Sequence, residues 1–319
     1  MTLEDFFLLD GNLRPVWRFF LSVVLVLLAY LLAHLLAREV RDLIPRAGAW
    51  YGFSFLFELL ALLGSFKVMT RLFEHKPLGV VGLAFHPCWV KELCVGLGIG
   101  GIMMVSLGGA EALLGLARFA RNTLPARAEL AYGSCLFLIL LITATNEELV
   151  FRGYPFQKLV ESLGPPGAVA VSSAFFGLAH LGNSHHTWIS TLNTMLVGIP
   201  LSIAYLRTRS LWMPVGMHFT WNYVQGFVFG LPVSGYTFSP SLLKVQVHGA
   251  AWLTGSEYGP EGGLLSTIVV VGAGIYFFSA RIRMSERMRE LVLGPSQGAA
   301  TNAAIPVSPG PDPGEDGPT

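Results

Sequence analysis

Charge is what this chain has least of. Only 13% of its 319 residues are Asp, Glu, Lys or Arg, and 53% are hydrophobic. A soluble domain of average composition carries about 25% charged residues, so the apolar surface here has to meet lipid. The formal net charge is +1, which argues against a nucleic-acid partner and against an acidic ligand held by bulk charge. Cysteine is scarce as well. Cys88, Cys94 and Cys135 are scattered through apolar stretches with no CxxC pair. That pattern does not make a disulfide framework or a zinc knuckle, and the three read as small buried hydrophobes. No HExxH is present, which leaves out the metalloprotease arrangement with both histidines on one helix.

Apolar length is what the chain has in quantity. Runs of about 20 apolar residues, enough to cross a bilayer, occur near 17–37, 50–70, 91–116, 130–152, 167–185, 188–206, 211–230 and 263–282. They predict an all-α polytopic membrane protein of about eight transmembrane helices, with a core bundle that carries the site. The first run lacks a small-residue cleavage site after a short apolar core and reads as a retained helix. Residues 231–262 are rich in Gly, Ser and Pro and read as a long loop. The domain division is a helical membrane domain over 1–291, with its motif core at 130–230, and a Pro/Gly-rich cytoplasmic tail over 292–319 expected to be disordered.

Orientation follows from Lys and Arg at the span ends. Arg281, Arg283, Arg287 and Arg289 after the last span place the C-terminus in the cytoplasm, and an even number of spans places the N-terminus there too. The loops with Lys158 and with Arg207 and Arg209 then fall inside, and 231–262 falls outside. Two basic loops, Arg38–Arg46 and Arg118–Arg127, fall outside against the rule.

Ionisable groups within a span are costly, roughly 2.5–3.5 kcal/mol each on insertion scales, and usually mark function. Three stretches carry them, each with two polar or aromatic residues at i, i+4 and so on one helix face. In "NEELVFRGYP", Glu148 and Arg152 have the favourable order for a helix pair. Glu147 is rotated about 100° from that pair and is left for proton transfer in a helix-lined cavity. The plainer alternative is that both acids cap the helix end among lipid headgroups. In "FFGLAH", Phe176 walls a cavity and His180, taken alone, reads more readily as a hydrogen-bonded packing residue. His185 and His186 read as surface residues. In "HFTWN", His218 and Asn222 fit either an interhelical polar clasp or an oxyanion site, since an amide donates without carrying charge. At about 1.5 Å per residue, Glu147, His180 and His218 agree in depth to a turn or two, in the cytoplasmic half of one bundle.

Together, "EELVFR", "FFGLAH" and "HFTWN" resemble the EExxxR, FxxxH and HxxxN motifs of the CAAX protease and bacteriocin-processing (CPBP, Abi) family of intramembrane proteases, in that family's order on successive helices. The resemblance covers 147–222; the flanking spans carry no signature. It implies functional positions at Glu147, Glu148, Arg152, His180, His218 and Asn222. Glu147 assisted by His180 would activate a water, His218 and Asn222 would hold the oxyanion, and Glu148 with Arg152 would position the helix. No cofactor is expected; were zinc bound, Glu147, His180 and His218 would be its ligands. The implied partner is a membrane-anchored or lipidated protein or peptide within the bilayer, and the expected location is a bacterial inner membrane. Other readings stay open: a non-catalytic immunity or scaffold protein of the same fold, a sorting-type protease that processes C-terminal anchors of surface proteins, and a transporter with a proton relay.

Overall fold

The computed structural model describes residues 3–40 and 47–279. The tail expected over 292–319 and the arginines at 281–289 lie outside the described residues. Lipid offers backbone groups no hydrogen bonds, so apolar runs satisfy their own as helices. The long helices are α1 (Pro15–Val40), α2 (Ala47–Met69), α3 (Trp89–Leu113), α4 (Ala126–Arg152), α5 (Tyr154–Ala179), α6 (Trp188–Thr208), α7 (Trp212–Tyr223) and α8 (Leu264–Ser279). Each expected span falls on one of them. Among the described residues, five stretches are long and apolar enough to cross a membrane: α1, Gly52–Glu74, α3, Ala126–Gly182 and α6. α8 is shorter, and α7 is prolonged by a π-helical turn to Val228.

α1 shows how the bundle sorts its side chains. It buries Ser22, Ala29, Ala33 and Ala37 and exposes Val24, Leu27, Leu28, Leu31 and Leu35. Small residues let helices approach while large ones face lipid, the reverse of a water-soluble helix. The cysteines follow the same logic and correct their expected place. Cys94 and Cys135 are exposed on the outer face and Cys88 is half-buried. In lipid an apolar residue gains nothing by hiding from its surroundings.

α5 is kinked. Gly164 takes φ 72°, ψ 169°, open to glycine without a Cβ penalty. Pro165 and Pro166 then start the second arm, where their missing N–H groups cost nothing. Residues 154–163, expected as a turn, are therefore a helical arm. Gln157 Nε2 donates to Val80 O (2.8 Å) and Tyr205 Oη (2.6 Å), and Lys158 Nζ lies 2.8 Å from Glu74 Oε1. Glu74 Oε1 also takes Arg18 Nη1 (3.1 Å) and Tyr154 Oη (2.9 Å).

These contacts define one end of the bundle. It gathers the start of α1, the end of α2, the first arm of α5, and the α6–α7 turn, where Leu211 N donates to Gly82 O. The start of α3 joins through Trp89 against Trp212, and the end of α8 through Arg207 on Phe278 O. The opposite end holds a two-stranded antiparallel sheet, β1 (Ala117–Arg121) with β2 (Leu243–Val247), and residues 229–263. The expected loop at 231–262 is therefore partly ordered, with β2 and three short helical turns inside it.

α3 and α7 run side by side at very short range. A Cβ on Gly96 or Gly100 would collide with the carbonyl of Met213 or Met217, whereas one on Gly98 meets nothing within 4 Å. We expect Gly100→Val to cost about 1–3 kcal/mol through overpacking and to lower the melting temperature in detergent. Gly98→Ala should melt like the parent.

Candidate active site

Arg152 ends α4 fully buried. Its Nη1 lies 3.2 Å from Glu148 Oε1, its Nη2 donates to Gly198 O (3.2 Å) and its Nε donates to Ser202 Oγ (3.4 Å). The guanidinium also covers the Phe176 ring at 4.5 Å. The i, i+4 spacing of the acid and base thus appears as a buried ion pair, and α6 supplies the remaining acceptors. This placement removes the reading in which both acids cap the helix among headgroups, because Glu148 has no exposed surface.

Glu148 has a second partner that the sequence does not announce. His218 Nδ1 stands 2.9 Å from the same Oε1. A carboxylate only accepts, so Nδ1 carries the proton. His180 is fixed in the same way, with Nδ1 2.7 Å from Phe176 O. It sits at the C-terminal end of α5, where a 3-10 turn follows. Both rings therefore direct Nε2 away from their anchors, and both reach Glu147 Oε2, at 3.9 Å from His180 and 3.8 Å from His218. That oxygen is buried and has no hydrogen-bond partner. Phe176 packs edge-on against both rings, at 4.9 and 6.1 Å.

Asn222 is buried one turn beyond His218 and lines a cavity with His180, His218, Phe176, Ser234 and Glu261. Its side chain makes no hydrogen bond to another described residue, which leaves the amide free to donate. The structure thus brings all six motif residues together. Met217, next to His218, lies level with Gly100 near the middle of α3. His185 and His186 are exposed, with His185 against Glu257 at 3.0 Å.

Glu147 Oε2 stands 3.8–3.9 Å from the two Nε2 atoms. A tetrahedral zinc with ligands at about 2.0–2.1 Å sets its donors about 3.4 Å apart, half an ångström nearer than found here. Among the described residues no group of His, Cys, Asp and Glu side chains has a metal-binding arrangement. A separate His86–Glu92–Ser210 set has the composition of a nucleophilic triad but not its geometry. Glu92 Oε2 (3.1 Å) and Ser210 Oγ (3.5 Å) share Nε2, and Nδ1 accepts from Cys88 N. No base is turned toward the hydroxyl alone.

Two carboxylates near the site were missed by motif reasoning. Glu58, on α2, meets the Asn146 side chain and feels the charge of Glu147. A lone acid inside "FLFELLALL" is itself a signal, by the rule already applied to α4. Glu261 accepts from Ser234 N (2.6 Å), Ser234 Oγ (3.1 Å) and Trp221 Nε1 (3.2 Å). Burial pushes its carboxyl above the ordinary range, against those donors. Its signal is weaker, because loops hold acids routinely.

The helical bundle, with a carboxylate and two oriented imidazoles in its interior, defines the class: a polytopic membrane protein. Residues 131–224 match the family model described as "Type II CAAX prenyl endopeptidase Rce1-like", over the stretch that carries all three motifs. No curated protein and no solved structure matches the chain.

Arg152→Ala strands Glu148 as a buried uncompensated charge, which costs about 3–5 kcal/mol. We expect loss of yield or a large fall in detergent melting temperature. His180→Ala, whose ring bonds only its own turn, should cost about 1 kcal/mol.

Proposed function

We propose that this protein is an intramembrane endopeptidase that hydrolyses a peptide bond in a membrane-anchored or lipidated protein or peptide. The convergence of Glu147 with the Nε2 atoms of His180 and His218 carries this reading, and the family match over 131–224 supports it. A water bound at that point lies within reach of a carboxylate base and two imidazoles. Glu147, assisted by His180, takes a proton from the water as its oxygen bonds to the peptide carbonyl carbon. The carbonyl oxygen becomes an oxyanion held by Asn222 and His218. His218 can donate there only as imidazolium, because its Nδ1 proton is committed to Glu148. The proton on Glu147 then passes to the amine nitrogen as the C–N bond breaks. Glu148 and Arg152 act by position: the first aims His218, and the second holds the first and braces α4 against α6. No step needs a cofactor.

The protein is an integral membrane protein by its helices. We place it in a bacterial cytoplasmic membrane with both termini inside, as the basic residues of the bundle ends favour.

The test is cleavage of a membrane-anchored reporter in proteoliposomes. Glu147→Gln keeps the shape and removes the base. It should lower the rate by about 100-fold or more with melting unchanged, and His180→Ala should lower the rate similarly at a stability cost of about 1 kcal/mol. Cleavage at the parental rate by folded Glu147→Gln would sink the proposal and favour a non-catalytic scaffold.

A further inference from the structure

A groove runs between the first half of α4 and the end of α7, apart from the residues assigned to the reaction. Leu130, Ser134, Phe137 and Leu138 of α4 line one wall, and Tyr223 and Phe227 the other. Leu130, Phe137 and Leu138 are exposed, which on a membrane bundle means that they meet acyl chains. The shape of the groove is fixed from within. Tyr223 Oη donates to Gly133 O (3.3 Å), and Phe137 packs edge-on against Phe219 and Tyr223 at 4.7 and 5.7 Å. From Leu130 to Leu138 it extends about 12 Å, at about 1.5 Å per residue.

The end of the groove nearest the sheet is charged. Glu129 lines it, and Arg121 Nη2 stands 2.7 Å from Glu129 Oε2 while Arg121 Nη1 donates to Leu242 O (3.2 Å). The guanidinium stays mostly exposed, with donors to spare. Arg127 precedes Leu130, Ser134 and Leu138 on one helix face. Arg118 and Lys244 stand on the exposed face of the sheet. Residues 117–129 and 243–247 thus hold four cations, Arg118, Arg121, Arg127 and Lys244, against the single acid Glu129. The three arginines are those whose loop runs against the orientation expected from the sequence. Glu129 Oε1 is buried and has no hydrogen-bond partner.

We propose that this groove binds an anionic phospholipid with a hydroxylated headgroup, phosphatidylglycerol, from the leaflet at the sheet end. One acyl chain lies along Leu130 to Leu138 against Phe227, and the phosphate meets Arg121 and Arg127. A guanidinium presents a planar fork of donors that matches phosphate oxygens, and basic clusters beside a membrane helix attract anionic headgroups. The remaining charges select the headgroup. An excess of cations disfavours the ammonium end of a choline or ethanolamine headgroup. A glycerol headgroup brings hydroxyls instead, and Glu129 Oε1 is an acceptor without a donor. The bound lipid ties β1 to α4, and α4 to α7. It touches none of the groups proposed to react, so the site stands independently of the peptidase reading.

Native mass spectrometry reads the lipid directly. The purified full-length protein in detergent is titrated with phosphatidylglycerol, phosphatidylcholine and phosphatidylethanolamine of identical acyl chains. We expect phosphatidylglycerol to bind at least about tenfold more tightly than the other two. The double variant Arg121→Ala, Arg127→Ala should bring it down to their level. Ser134→Trp, which fills the groove and leaves the charge alone, should do the same. Arg71→Ala removes an exposed cation at the opposite end and should bind like the parent. Equal binding of the three lipids by the parent, or an equal loss with Arg71→Ala, overturns the proposal in favour of unselective bilayer lipid. Parental binding by Ser134→Trp that melts like the parent overturns the seat in the groove. If the double variant loses its fold with the Glu129 partner, Arg127→Ala alone decides, and parental binding there overturns the phosphate contact.

Discussion

One buried carboxylate oxygen organises this molecule. Glu148 Oε1 is shared by Arg152 and His218, in a bundle where an uncompensated charge is prohibitively costly. Arg152 neutralises it and spends its other donors on α6. The imidazole uses it to settle which nitrogen bears hydrogen. Three helices, α4, α6 and α7, are thereby fixed relative to one another through a single side chain. A fourth, α5, joins through Phe176, which lies under the guanidinium and against both rings. The same contact that stabilises the centre also orients the groups proposed to react, so scaffold and site are not separable here.

Glu147 shows the complementary design. It neighbours Glu148 in sequence, yet the helix turns it away from Arg152, and its inner oxygen is left with two imidazole nitrogens beyond hydrogen-bond range. That oxygen has no donor among its protein neighbours within hydrogen-bond range. It gains from a species that brings protons, and a water is the simplest of these.

Much of this was legible in the residues, and the reason is the solvent. Lipid makes polar residues expensive, so the few that remain in apolar runs stand out, and their i, i+4 spacing fixes a shared face. Glu148 with Arg152, and the nearness of His180 and His218, follow from that logic. The His218–Glu148 bond was hidden because it joins helices 70 residues apart, where no local periodicity speaks. Cysteine placement was misjudged because hydrophobicity ceases to mean interior once the exterior is lipid. The helical arm before Gly164 and the ordered 229–263 segment were hidden because tertiary contacts made them: Gln157 with Tyr205, and Glu261 with Trp221.

The bond from Glu261 to Trp221 also links the cavity wall to the helix that carries His218 and Asn222. Trp221 stands between His218 and Asn222 on α7, and its indole is fastened to Glu261 in the cavity wall. A displacement of that wall at Glu261 therefore pulls on α7 within one turn of both His218 and Asn222.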